Sequence, residues 1–203
     1  MNSIKLHIAN ASGSMDKHIN VIENAFKKAS DTAFGVLGAD KIDILIIDAP
    51  SSTIPEIGVG GYTPSSNVVY INIDPSKKIL EKNLYMGMLH EIHHAVRWRN
   101  PGYGETLKEA LLTEGLATLF EEECSGETPI YATVRITKDQ IGMANKELNS
   151  KKYNHIEWFI TGNNDVPRWF GYSYGYQLAK SASNTLKKPA SKLVSTSAKK
   201  LLK

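Results

Sequence analysis

The stretch His90-Glu91-Ile92-His93-His94 decides how this chain is read. It has the form H-E-x-x-H. On a helix, residues four apart stand one turn above each other, so His90 and His94 can reach one metal ion together. Glu91 is rotated off that axis but stays beside the ion, where a carboxylate can take a proton from a zinc-activated water. The flanks predict the helix. Asp74-Pro75 supplies a capping residue and a proline for the first helical position, and Asn100-Pro101-Gly102 stops the run after Arg99. Between them Leu80, Leu84, Met86, Met88, Leu89 and Ile92 are apolar on several sides, as in a central buried helix.

A third ligand is sought further along. Nineteen residues separate His94 from Glu114, which lies in Thr113-Glu114-Gly115-Leu116-Ala117 on a second amphipathic stretch expected from about Glu105 to Glu123. Two His, one carboxylate and a water make a catalytic rather than a structural zinc site. Glu105, Glu109 and the run Glu121-Glu122-Glu123 compete for the role. The three consecutive acids read better as a solvated helix end, and the small neighbours of Glu114 favour it. The longer pattern H-E-x-x-H-x-x-G-x-x-H is excluded, because Arg97 and Asn100 stand where its Gly and last His would be.

His90, Glu91, His94 and the Glu-Gly-x-Ala segment at Glu114 resemble the gluzincins, the thermolysin-type peptidases. Together with the later RWFGYSYGY segment, they are similar to a bacterial family of predicted zinc-dependent proteases; this likeness spans about residues 56–180. The resemblance implies an α+β, zincin-like fold, Zn2+ as cofactor, His90, His94 and Glu114 as ligands, Glu91 as general base, and a peptide or protein substrate. One departure stands out. Thr118 occupies the place, four residues after the Glu ligand, where thermolysin has an Asp that orients the first His. Thr118, Glu121 or a backbone carbonyl is then expected to take that role, or the likeness is to another gluzincin branch.

Composition describes an ordinary globular chain: 203 residues, 41% hydrophobic and 22% charged. That is enough for one domain, 1–203, with an N-lobe of about residues 1–100 and a C-lobe of about 101–203. No apolar run approaches the roughly 20 residues of a membrane span, and MNSIKLHIANASG lacks the marks of a secretory signal. The lone Cys124 excludes an internal disulfide and fits a reducing, cytoplasmic setting. It is a poor nucleophile, since the preceding glutamates oppose a thiolate.

Strands are expected at residues 3–9, 42–47 and 68–73, the last paired back through Pro64-Ser65-Ser66-Asn67 to Gly58-Val59-Gly60-Gly61-Tyr62. A helix is expected over residues 16–34, and further helices over 138–160 and 169–186, before a basic, partly helical tail at 189–203. The result is a small mixed sheet with the motif helix, followed by a helical lobe.

Other residues have weaker claims. His93 lies off the ligand axis and reads as structural, or as a contact beside the site. Arg168, Tyr172, Gly175, Tyr176 and Ala179 share one helical face. Of these, Tyr172 is the chosen donor to the oxyanion that forms when water attacks an amide, against the plainer reading of aromatic core. Gly60, Gly61 and Tyr62 suit either an edge strand for an extended peptide or a Gly-rich hairpin. Beyond Asp165 there are seven Lys and Arg168 but no acid. They are scattered among Ser and Thr, so a solvated face is expected, with no nucleic acid partner and no stable membrane insertion. No phosphate-binding loop of the G-x-x-x-x-G-K-[ST] kind is present. The competing readings are a zinc-binding regulatory or binding protein without turnover, and a basic surface-binding protein with incidental histidines.

Overall fold

The computed structural model describes residues 3–202. The chain divides into two compact units, one ending at Arg99 and the other beginning at Asn100. The first is a four-stranded sheet with two long helices. β1 (Lys5–Ile8), β2 (Asp43–Asp48), β3 (Val59–Ser65) and β4 (Val68–Ile73) lie in the order β1-β2-β4-β3. β1, β2 and β4 run parallel, and β3 folds back antiparallel on β4 as the end strand. The expected mixed sheet is present. Its core comes from the β-branched runs: Ile44 and Ile46 of β2, and Val69, Ile71 and Ile73 of β4, are buried. Pro64, which has no N–H to give a ladder, sits where the β3–β4 register slips between Tyr62 and Ser65.

α1 (Ile19–Leu37) links β1 to β2 and buries Ile22, Ala25, Ala29 and Ala33, three and four residues apart. Gly38, at φ 66°, ends it by donating to the Ala33 and Phe34 carbonyls. α2 (Glu81–Arg99) carries the histidine motif and starts six residues later than Asp74-Pro75 suggests. The Asp74 side chain instead accepts from the Ser76 backbone N–H at 3.1 Å and its hydroxyl at 2.5 Å. This local turn competes with helix nucleation.

The second unit is built around α3 (Leu107–Ser125), buried on nearly every side from Leu107 to Glu121. Its start is fixed by a capping box: Glu109 N–H donates to Thr106 Oγ1 at 3.3 Å, and Thr106 N–H to Glu109 Oε2 at 3.0 Å. The helix expected over 138–160 is interrupted. α4 (Lys138–Glu147) ends, and a single wide turn of π-helix at Ile156–Thr161 follows after a break. In that break the Leu148 and Ser150 carbonyls accept from the Lys108 and Leu107 N–H groups. Satisfying those first-turn donors of α3 draws the chain out of helical geometry. α5 (Phe170–Leu186) then crosses α3, and the short α6 (Ala190–Leu193) and α7 (Ala198–Leu201) form the tail. Among the described residues no helix is long and apolar enough to cross a membrane.

Gly115 admits a close neighbour within its own unit, α5. A Cβ at Gly115 would lie 2.0 Å from the Gly175 carbonyl oxygen, and one at Gly175 would lie 2.2 Å from that of Leu111. Backbone meets backbone here, so nothing flexible can give way. Gly115→Ala is expected to destabilise the protein by about 1–3 kcal/mol or more, read as a fall in Tm of roughly 2–4 °C per kcal/mol. Gly142→Ala, with open space at its Cβ position in α4, should leave Tm unchanged or raise it slightly. Equal behaviour of the two variants would contradict this packing.

Candidate metal centre

α2 delivers the motif as its spacing requires. His90 and His94 are buried, one turn apart, with ring centroids 4.6 Å from each other and planes at 84°. Glu91 is buried beside them at 7% exposure. Its placement depends on β3. The Thr63 hydroxyl lies 2.6 Å from Glu91 Oε2 and 3.0 Å from the Glu91 carbonyl oxygen, shared between the two. Trp98 Nε1 donates to the Thr63 carbonyl at 2.9 Å. A Cβ on Gly61 would fall 2.5 Å from both Glu91 Cγ and Oε1. Gly61 is therefore absent of side chain where the carboxylate needs room.

α3 delivers Glu114, 5% exposed. Tyr103 donates its hydroxyl to Glu114 Oε1 at 2.5 Å. Burial, and then the negative charge of Glu114, pushes the Tyr103 hydroxyl well above its ordinary pKa, so it stays protonated and a donor. Thr118 spends its hydroxyl hydrogen inside the helix, donating to the Glu114 carbonyl at 2.8 Å.

One nitrogen each from His90 and His94 and one oxygen from Glu114 lie within 4.8 Å of one another. These three residues can hold a metal ion. Two imidazoles and one carboxylate are also the donor chemistry of a zinc site with an open position. His93 is wholly buried on α2 and is not among the three.

The family model described as "Predicted Zn-dependent protease (DUF2268)" matches residues 13–203. The chain belongs to this family. No curated protein matches it, and neither does any solved structure. The family description and the three-residue set both point to zinc, and the description to proteolysis.

Other singled-out residues fall in varied places. Tyr172, on α5, is partly buried, its ring 5.0 Å from that of Tyr131 and 5.4 Å from that of Phe159. Arg168 precedes α5, and its guanidinium lies over the Trp169 ring at 3.8 Å, so it does not share the Tyr172 helical face. The acidic run is only partly a solvated end: Glu121 is 1% exposed and accepts from the Tyr131 hydroxyl, Glu122 is half-buried and accepts from Tyr176 at 2.6 Å, and Glu123 is exposed. Thr63, Gly61 and Tyr103 escaped the sequence reading as supports of the site. Only the short gap between Tyr103 and Glu114, across a turn, offered a local hint.

Cys124 offers no competing nucleophile. Burial, and then Glu123, pushes its thiol up to about 12. Native protein at pH 8 should resist iodoacetamide, and unfolding in denaturant should release one reactive thiol. Rapid alkylation of the native protein would contradict this environment.

Proposed function

We propose that the chain is a gluzincin-type zinc peptidase, its 203 residues working as one zincin-like metallopeptidase domain on peptides or proteins in the cytoplasm. The observation that carries the proposal is the meeting of His90, His94 and Glu114 donor atoms within 4.8 Å; membership of the family supports it. In this reading the three side chains hold the ion. Zinc, when bound, supplies a Lewis acid that makes water more acidic and polarises a carbonyl.

The remaining work belongs to the chain. Glu91 takes the proton released by the attacking water and passes it to the leaving amine, so the peptide C–N bond breaks without releasing an unprotonated amide anion. Thr63 fixes one carboxylate oxygen of Glu91 by its hydroxyl. Gly61 leaves the space the carboxylate occupies. Tyr172 donates to the developing oxyanion; in support, it lies close enough to Tyr103, the partner of Glu114, to help raise the pKa of the Tyr103 hydroxyl.

Cleavage of a mixed peptide library by zinc-loaded protein tests the assignment. Glu91→Gln should lower turnover by about 10²- to 10⁴-fold, the usual worth of a general base, while zinc content stays stoichiometric. Full activity in that variant would remove Glu91 from the mechanism. Stoichiometric zinc with no cleavage even by wild type would favour a binding or regulatory protein. Gly61→Ala should likewise retain zinc but lose turnover, because the new methyl displaces the Glu91 carboxylate; unchanged turnover would contradict the role given to that strand.

A further inference from the structure

We propose that Tyr103 is the positioning residue for Glu114, aiming its carboxylate for metal binding; this rests on the reading of Glu114 as a ligand. Tyr103 sits on a turn between two glycines. Gly102 and Gly104 sit at φ 94° and 98°, left-handed values that a side chain resists. A Cβ at Gly104 would lie 2.3 Å from Glu109 Cβ, so the turn is pressed onto the first turn of α3. The Thr113 hydroxyl donates to the Tyr103 carbonyl at 2.9 Å, tying the backbone of Tyr103 to the residue just before Glu114.

The ring is held as well. It packs against the core of Leu107, Leu111 and Phe159 and lies 6.3 Å from the His155 ring, which itself stacks on Phe159 at 4.5 Å. Backbone and ring are thus fixed before the hydroxyl is considered. The O–H then reaches Glu114 Oε1 at 2.5 Å, a short hydrogen bond. A Glu side chain has three rotatable bonds, and aiming it at an ion costs conformational entropy. A donor on a rigid mount fixes that aim before the ion arrives, which is how supporting hydrogen bonds raise metal affinity. Attachment of the turn does not require this bond, since Thr113 and Glu109 already secure it.

The test is Tyr103→Phe, which keeps the ring and deletes the donor. Zinc dissociation constants of the full-length wild type and variant are measured by competition with a chelator of known affinity, and the Tm of each metal-free protein is measured alongside. The expected result is a dissociation constant about 10- to 100-fold higher in Y103F. A merely structural tyrosine would lower the metal-free Tm and leave the zinc constant within about twofold, and that result overturns the proposal. Wild-type protein that takes up no zinc would overturn the ligand assignment and this role together. Equal zinc affinities in the two proteins would overturn this role alone. The readout is binding, so it does not depend on peptide cleavage.

Discussion

Two carboxylates kept from water impose the main constraint on this molecule. Glu91 and Glu114 are both deeply buried, and an ionised carboxylate in such a place costs on the order of several kcal/mol unless polar partners replace its hydration. Each receives an O–H donor from its own unit, Thr63 for Glu91 and Tyr103 for Glu114, at 2.6 and 2.5 Å. A hydroxyl stabilises the anion without cancelling its charge.

The surrounding sequence follows from that constraint. Gly61 is needed because a strand passes against Glu91, and Gly104 because a turn presses on the start of α3. The same helix is fixed on another side by backbone contact through Gly115 and Gly175. The helix that carries Glu114 is thus held at its capping box and along its length.

What could be read from the sequence was local. The His90–His94 spacing on α2 is a property of five consecutive residues, and the strands announced themselves through β-branched runs such as Ile42–Ile47. The end of α2 was legible in Asn100-Pro101-Gly102. What failed was set by partners distant along the chain. Asp74 looked like a helix cap until Ser76 claimed its side chain. The break after α4 exists because carbonyls there cap a helix some forty residues earlier, at Leu107 and Lys108. Thr63 supports a residue 28 positions away, and nothing in the spelling of a Gly-rich hairpin reveals that. Glu121 looked solvated because acidic runs usually are; a tyrosine ten positions on gives it a buried place instead.

In the proposed site, two imidazoles and one carboxylate hold a zinc ion. X-ray absorption at the zinc edge of the purified, zinc-loaded protein examines that coordination directly. The predicted shell has two imidazole nitrogens and oxygen donors at about 2.0–2.2 Å, with no sulfur. A sulfur scatterer near 2.3 Å, a shell of water oxygens without imidazole, or the loss of only one imidazole when both His90 and His94 are replaced would contradict it.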